Sequence, residues 1–343
     1  MSGTLAEKLS AHVAAATGKP VHISKVDLLP GGACQENYKV QLRVGDGAEE
    51  TLVLRADSKG SLPGSLDRAG EARVISAAAS VGVKTPSARW LGRDLTRPGS
   101  YAYFLGWVDG EALGRRVVKA EKFGPARARL PEQLAAELAK IHSITPQTHP
   151  DLFPVGVRST DRDPASLDPC KVILDDLAVS LDALARPRPA LELALSWLRA
   201  EVPKRSEITL VHGDFRVGNF MVHEETGLEA LLDWEFARWG TPAEDLAWIT
   251  LRDWRFGRLD LPVGGFSARA PFYAAYERHS GRKIDRAELR FWEVLGNVRW
   301  AIGSLYQGRR YAEGERDIEL IAVAHRATEM EYEALRLLGG PHA

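Results

Sequence analysis

The sequence predicts an α+β fold in which a β-rich N-terminal lobe precedes a mainly helical C-terminal lobe. Before residue 106, polar and apolar residues alternate over several short runs, as they do in half-buried strands. Later in the chain, apolar residues recur at the three- and four-residue spacing of helices that bury one face. The 343 residues exceed one average domain and can bury a sizeable core. We therefore expect a β-rich lobe over residues 1–105 and a mainly helical lobe over residues 106–343.

The first lobe is predicted to contain a sheet. Its strands are expected at Val21–Leu29, Tyr38–Val44 and Thr51–Ala56, followed by a strand pair that ends at Tyr101–Leu105. Gly31 and Gly32 separate the first two strands, and glycines let backbone amides approach phosphate oxygens without an intervening side chain. A plain hairpin turn is the alternative interpretation of this glycine pair. On the third strand, Val53 and Arg55 share one face because side chains alternate.

Helices are predicted in both lobes from the recurrence of apolar residues on one face. In the first lobe, Leu66–Ser80 is expected to be helical, with Ala72 and Ile75 on its buried side. In the second lobe, helices are expected at Glu132–His142, Leu174–Leu184, Ala190–Glu201, Pro271–Arg278, Arg286–Gly308 and Arg316–Leu338. Residues 151–168 are rich in Pro, Asp and Arg and are predicted to form a loop.

Two short motifs in the second lobe combine the residue types that phosphoryl transfer from Mg-ATP requires. They are Val-His-Gly-Asp-Phe-Arg-Val-Gly-Asn at residues 211–219 and Leu-Leu-Asp-Trp-Glu at residues 231–235. One carboxylate must orient the attacking hydroxyl and accept its proton, while an amide oxygen and a second carboxylate hold the metal ions that bridge the phosphates. Asp214 is therefore predicted as the base, and Asn219 and Asp233 as the metal ligands.

These motifs resemble the protein-kinase catalytic loop and its metal-binding Asp-Phe-Gly sequence, in the form typical of the aminoglycoside phosphotransferase family. In that family His-Gly-Asp replaces His-Arg-Asp, and Asp-Trp or Asp-Phe replaces Asp-Phe-Gly. Both replacements are present here, at residues 212–214 and 233–234. The resemblance implies a bilobal, protein-kinase-like fold that uses ATP and Mg²⁺. Taken singly, an Asp or Asn in a turn more simply caps a helix or bonds its own backbone.

The resemblance also implies roles for further residues. Arg216 would neutralise charge on the transferred phosphoryl group. Arg55 would replace the kinase strand lysine, held by Glu71 on the following helix. A surface arginine and a glutamate that faces solvent are the alternatives at these two positions. The resemblance also places a hinge between the lobes near residues 105–110, where the adenine edge would meet the backbone of Gly106, Trp107 and Val108.

Three other polar residues are expected to be structural. By resemblance, His212 fixes the catalytic loop and Asp245 accepts hydrogen bonds from the backbone of that loop, while His142 packs in the core. A metallohydrolase centre at His212 is the weaker alternative, because the nine histidines are scattered along the chain. Only residues 234–240 separate Asp233 from Thr241, which is too short for a kinase activation loop. We therefore expect a constitutively assembled site.

The predicted acceptor is a small-molecule hydroxyl. Leu54-Arg55 and Leu232-Asp233-Trp234-Glu235 are similar to the branch of the family associated with acyl-CoA dehydrogenases, which implies a hydroxyacyl-CoA or another alcohol. An aminoglycoside antibiotic kinase and a catalytically idle nucleotide-binding protein are the alternatives. The presence of a base together with both metal ligands argues against the idle protein.

Composition argues against several other classes of protein. The formal net charge is −1, so the chain lacks the basic footprint of a nucleic-acid-binding protein. Glu7 and Lys8 interrupt the apolar residues near the N-terminus, which is expected to be neither a signal peptide nor a membrane span. The two cysteines, Cys34 and Cys170, imply no disulfide framework. These features predict a cytoplasmic enzyme.

Overall fold

The computed structural model describes residues 4–29, 35–57, 64–152, 168–204 and 207–339. Gly31, Gly32 and Cys34 lie outside the described residues, and so does most of the predicted loop at 151–168. The interpretation of the glycine pair as a phosphate-binding turn therefore stays a prediction.

The N-terminal lobe is built on one five-stranded antiparallel sheet. Its elements are helix α1 (Leu5–Thr17), strands β1 (Val21–Leu28), β2 (Gln35–Val44) and β3 (Glu50–Asp57), helix α2 (Arg68–Ser80), and strands β4 (Ala88–Arg93) and β5 (Tyr101–Gly106). The strand order is β1-β2-β3-β5-β4, so the strand that carries Arg55 lies at the centre, between β2 and β5. Pairing on both sides fixes the register of this strand and therefore the face from which Arg55 projects.

Helix α1 covers one face of this sheet and is absent from the sequence-based predictions. It begins with a capping box in which the Thr4 hydroxyl accepts from the Glu7 amide and the Glu7 carboxylate accepts from the Thr4 amide. It ends at Gly18, whose φ of 68° suits a glycine. Leu9 and Val13 of α1 are fully buried in the apolar core above the sheet.

The C-terminal lobe is mainly helical. Its helices are α3 (Gly114–Lys119), α4 (Gly124–Ile141), α5 (Pro169–Ala183), α6 (Pro189–Ala200), α7 (Pro242–Trp248), α8 (Arg269–Ser280), α9 (Arg286–Ala312), α10 (Ile318–Ala324) and α11 (Arg326–Leu338). Between α6 and α7 lie the short strands β6 (Thr209–Val211), β7 (Phe220–His223), β8 (Gly227–Leu231) and β9 (Arg238–Gly240), paired as β6-β9 and β7-β8. The first motif connects β6 to β7, and the second connects β8 to β9.

The predicted helices are present with shifted ends, and further features besides helix α1 differ from prediction. Helix α4 begins at Gly124, before the predicted start at Glu132. Pro131 therefore lies inside the helix and does not mark its first turn. The predicted helix Arg316–Leu338 is two helices that meet at His325, whose own backbone is still helical. Strands β6 to β9 are absent from the predictions, since runs of three to five residues carry little periodicity.

One large apolar core joins α2 and β5 to the helices of the second lobe. Ala72 and Ile75, predicted on the buried side of α2, belong to it, and the side chains of Trp234 and Trp292 are buried within it. Close packing across the lobes holds α2 against the segment Trp234–Phe236, which overlaps the second motif. No helix in the described part of the chain combines the length and apolar character needed to cross a membrane.

Candidate active site

A glycine shapes the turn that carries the first motif. Gly213 has a φ of 77°, in the left-handed region that favours glycine. A Cβ atom at this position would lie 2.2 Å from the carbonyl oxygen of Phe236, far inside contact distance. The replacement of the kinase arginine by glycine in His-Gly-Asp is therefore required by the close approach of the loop between β8 and β9.

Asp245, in the first turn of α7, anchors the same turn. Its carboxylate oxygens accept hydrogen bonds from the amides of His212 at 2.7 Å and Gly213 at 2.9 Å. Burial alone would raise the pKa of Asp245, but hydrogen bonds with His142 and the His212 backbone outweigh burial and lower that pKa. These contacts match the structural role that the resemblance implies for Asp245.

His142 is buried, as expected for a core residue, and it is also hydrogen-bonded through both ring nitrogens. Its Nδ1 lies 2.8 Å from the Tyr276 hydroxyl and its Nε2 lies 3.3 Å from Asp245. Burial lowers the pKa of His142 and raises the pKa of Tyr276, so a neutral imidazole and a protonated phenol are favoured. The Tyr276 hydroxyl then donates to Nδ1, and the Nε2 proton is donated to Asp245.

His212 connects the two motifs. Its Nε2 donates to the carbonyl oxygen of Leu232 at 3.0 Å, and its ring packs against Trp234 with 4.6 Å between centroids. Among the residues with a described position, no group of three or more His, Cys, Asp or Glu side chains is arranged to hold a metal ion. The contacts of His212 are those of a residue that fixes the loop.

The Asp214 carboxylate receives hydrogen bonds from three side chains. The Arg216 Nε lies 3.1 Å from both carboxylate oxygens. The Asn219 Nδ2 lies 2.7 Å from Oδ2, and the Trp248 Nε1 lies 2.7 Å from Oδ1. The sequence predictions do not include Trp248. Its only signal is its place three residues after Asp245, on the same short helix.

Asn219 and Asp233 lie on adjacent backbone segments, because the Leu232 amide donates to the Asn219 carbonyl oxygen at 2.8 Å. The Asn219 Nδ2 donates to the Asp214 carboxylate and also to the Asp214 carbonyl oxygen, at 2.9 Å. The side-chain oxygen of Asn219 is therefore directed away from Asp214. An amide oxygen and a carboxylate are hard ligands, and this pair fits Mg²⁺, which takes few protein ligands and completes its shell with phosphate and water.

Arg55 lies between two carboxylates. Its Nε is 2.8 Å from Glu71, the expected helix partner, and its Nη2 is 2.5 Å from Asp233. Burial opposes the charge on Arg55, but Glu71 and Asp233 outweigh burial and raise the pKa of Arg55 well above its ordinary value. Asp233 itself has a φ of 66°, a sparsely populated conformation that functional sites often retain. The strand cation of one lobe thus contacts a candidate metal ligand of the other.

A second buried arginine extends this network and is absent from the predictions. Arg68, at the start of α2, donates to Glu71 at 2.5 Å and to Glu235 at 3.2 Å. The Glu235 carbonyl oxygen also accepts from the Leu66 amide at 2.7 Å. The sequence signal for Arg68 is its position three residues before Glu71 on the helix, whereas its contact with Glu235 spans the two lobes.

The predicted adenine-binding backbone begins at the end of β5. Gly106 is the last residue of that strand, and the Trp107 amide donates to the Thr51 carbonyl oxygen at 3.3 Å. The Lys39 ammonium lies 4.3 Å from the centre of the Trp107 ring. Val108 follows directly along the chain. Lys39 therefore contacts the first residue of this connection.

Two curated relatives share part of their length with this chain. Acyl-CoA dehydrogenase family member 10 of Mus musculus is 26% identical over 237 residues, which are 66% of this chain and 20% of the relative. Acyl-CoA dehydrogenase family member 11 of Gallus gallus is 31% identical over 206 residues, which are 59% of this chain and 25% of the relative. The matched part of this chain thus spans a quarter or less of these longer relatives.

Solved structures show the same fold over almost the whole chain. A Ralstonia eutropha protein assigned as an aminoglycoside phosphotransferase has a TM-score of 0.73 and 21% identity, with 96% of this chain and 97% of that chain covered. Aminoglycoside phosphotransferase APH(4)-Ia, in a ternary complex with ADP and hygromycin B, has a TM-score of 0.62 and 16% identity, with 97% and 100% covered. The fold is therefore the kinase-like fold of the aminoglycoside phosphotransferases.

The sequence pattern of the phosphotransferase enzyme family (APH) matches residues 25–292. That range includes Arg55, Glu71, both motifs and Asp245. The match covers well over half of the 343 residues. The chain belongs to the phosphotransferase enzyme family.

Proposed function

We propose that this chain is a Mg-ATP-dependent O-phosphotransferase that acts on the hydroxyl of a small molecule. The observation that carries the proposal is the convergence of Asp214, Asn219 and Asp233 on two loops that are hydrogen-bonded to each other. This arrangement supplies a base beside two oxygen ligands for a metal ion. Family membership supports the reaction class.

In the proposed reaction, Asp214 accepts the proton of the acceptor hydroxyl as the hydroxyl oxygen bonds to the γ-phosphorus and the bond from that phosphorus to the ADP oxygen breaks. Arg216 neutralises charge on the transferred group, and Arg55 binds the nucleotide phosphates. Asn219 and Asp233 would hold Mg²⁺, which when bound neutralises phosphate charge. Arg55 and Asp233 contact each other directly. On binding, the nucleotide phosphates would replace Asp233 as a partner of Arg55, and Mg²⁺ would replace Arg55 as a partner of Asp233.

The rest of the nucleotide is proposed to lie along the N-terminal lobe. The backbone of Gly106, Trp107 and Val108 would meet the adenine edge, and the segment with Gly31 and Gly32 would cover the phosphates. The Trp107 amide is already engaged by Thr51, so the adenine edge would use the neighbouring backbone groups of this connection.

We infer that the acceptor is a hydroxyacyl-CoA or a related alcohol. The support comes from Leu54-Arg55, from Leu232-Asp233-Trp234-Glu235 and from the likeness to acyl-CoA dehydrogenase family members 10 and 11. Charge supports it as well, since Asp214 pairs with the Arg216 guanidinium, which is the more exposed partner of that pair. An anionic acceptor suits this cationic edge better than a polycationic aminoglycoside does.

An ADP-release screen over alcohols, aminoglycosides and hydroxyacyl-CoAs, run beside thermal-shift measurements of Mg-ATP binding, tests the proposal. We expect ATP to stabilise the protein only with Mg²⁺ and turnover to be highest with hydroxyacyl-CoAs. The Asp233→Ala variant should lose the Mg-dependent part of the thermal shift, because it lacks a charged metal ligand. Binding without turnover on any acceptor would favour an idle nucleotide-binding protein, and turnover on aminoglycosides alone would favour an antibiotic kinase.

A further inference from the structure

The indole of Trp248 is held rigidly beside the proposed base. Trp248 is the last residue of α7 and is only 6% exposed. Its ring packs against Trp254, with 5.9 Å between centroids, and the Arg299 guanidinium lies 4.8 Å from the ring centre. A ring with neighbours on several sides has one available orientation. The direction of its N–H bond is therefore fixed, and that bond points at Oδ1 of Asp214 at 2.7 Å.

The hydrogen-bond donors around Asp214 occupy the acceptor sites of its carboxylate. A carboxylate has about four lone-pair sites, two on each oxygen. Trp248 and Arg216 take those of Oδ1, and Asn219 and Arg216 take those of Oδ2. An acceptor hydroxyl can reach Asp214 only if one donor withdraws.

Arg216 is the donor that can withdraw. Its Nε contacts are 3.1 Å long and shared between the two oxygens, compared with 2.7 Å for Trp248 and for Asn219. Its side chain is also the more exposed partner of the Asp214 pair. The Arg216 guanidinium lies 4.7 Å from the Trp254 ring, a surface along which it can move toward an incoming phosphoryl group. Trp248 and Asn219 then remain as the fixed donors.

We propose that Trp248 is the positioning residue for the Asp214 base. Its indole N–H holds Oδ1 while Asn219 holds Oδ2, so the carboxylate keeps one orientation when Arg216 leaves it for the phosphoryl group. The proposal rests on the proposed function, because it concerns the base of that reaction. Positioning of this kind affects the chemical step, since a misplacement of about 1 Å can cost about 100-fold in rate.

The chain offers a matched control in Trp300. Its indole Nε1 donates to the Asp253 carboxylate at 2.8 Å, and its ring packs against Trp254 in the same aromatic cluster. Asp253 also accepts from Arg326 and is therefore not left without a partner when the indole is removed. Trp248→Phe and Trp300→Phe each delete one indole-to-carboxylate hydrogen bond, but only the first deletes one to the proposed base.

The kinetic test measures kcat and the KM for ATP, with ATP hydrolysis by water as the reaction or with an alcohol identified by ADP release. We expect Trp248→Phe to lower kcat by about 10- to 100-fold with the KM for ATP within about twofold of wild type. Trp300→Phe should keep kcat within about twofold. Equal kcat values for the two variants would overturn the proposal, as would a Trp248→Phe effect confined to KM.

A spectroscopic measurement keeps the test independent of turnover and of the folding of Trp248→Phe. In ¹H–¹⁵N spectra, Asp214→Ala should move the assigned indole N–H resonance of Trp248 upfield, because the charged acceptor is lost. The indole resonance of Trp300 should stay in place. An unmoved Trp248 resonance would refute the contact itself. Full activity of Asp214→Asn would instead refute the proposed base and leave the contact standing.

Discussion

Arg55 shows how single residues of this site are held by partners of opposite charge. Its guanidinium is fixed by Glu71 on one side and by Asp233 on the other, and both contacts are short and largely buried. A planar guanidinium can grip two oxygens at once, so Glu71 can orient it while the remaining nitrogens bind phosphates. A lysine at this position would be a point charge without that geometry.

We expect Arg55→Ala and Glu71→Ala each to raise the KM for ATP or to lower kcat, because the phosphates lose their cation or the cation loses its orientation. The double variant should lose less than the sum of the two effects on a free-energy scale, with a coupling of about 0.5–3 kcal/mol. Arg55→Lys should recover only part of the activity. Steady-state kinetics of the four variants measure this, and strictly additive losses would show that the two residues act independently.

Helix α2 and the segments on either side of it are tied to the loop between β8 and β9 by three separate contacts. Arg68 pairs with Glu235, the Leu66 amide donates to the Glu235 carbonyl oxygen, and the Trp234 indole donates to the Thr85 hydroxyl at 3.1 Å. This loop is short and folds directly into β9 and α7. We therefore expect these contacts to hold the candidate site together without phosphorylation of a loop, and the constitutively assembled site stays a prediction.

Replacement of Arg68 should therefore both destabilise the protein and disturb the site. Arg68→Leu leaves Glu71 with one partner fewer and removes a partner of Glu235, and breaking a buried pair of this kind costs about 3–5 kcal/mol. Arg278→Leu, which removes an exposed ion pair with Glu132, is the control and should have a much smaller effect. Urea unfolding measures the free energy of unfolding of both variants. Equal losses in the two variants would contradict the stabilising role of the buried ion pairs of Arg68.

One buried polar cluster links three helices of the C-terminal lobe to the turn that carries the first motif. His142 follows α4, Tyr276 lies on α8 and Asp245 lies on α7, so their hydrogen bonds join three helices to the turn with Gly213. A buried polar cluster is stabilising only when each member keeps its partner. The neutral imidazole of His142 is the member whose charge changes near physiological pH.

Stability should fall in mild acid for this reason. The pKa of His142 is lowered in the folded state, so the unfolded chain binds a proton first as the pH falls below the ordinary histidine value of about 6.5. The contribution of neutral His142 to the free energy of unfolding is fully present above that pH. It is lost as the pH falls toward the pKa of His142 in the folded state, by at most about 1.4 kcal/mol per pH unit. Urea unfolding between pH 7.5 and 5.5 should show a steeper decline for wild type than for His142→Gln. An equal decline of stability with pH for the two proteins would contradict the assignment of this pH dependence to His142.

The sequence predicts the parts of the site that are local in the chain. The spacing within residues 211–219 identifies Asp214 and Asn219 as candidate site residues, and the spacing within residues 231–235 identifies Asp233. Each of these two motifs lies within a single loop. Strand alternation likewise identifies the face of Arg55. Contacts between distant segments are not encoded in any short pattern, and for that reason Arg68 with Glu235 and Trp248 with Asp214 become visible only in three dimensions.

Turnover by Asp214→Asn tests the central claim most directly, with transfer of ³²P from γ-labelled ATP to the acceptor as the measurement. The amide keeps the shape of the carboxylate and can still accept the Trp248 hydrogen bond, but it cannot take the hydroxyl proton. We expect Mg-ATP binding to be retained in calorimetric titrations while transfer falls by at least about 100-fold. Transfer within a few-fold of wild type would remove Asp214 from its role as the base and contradict the account.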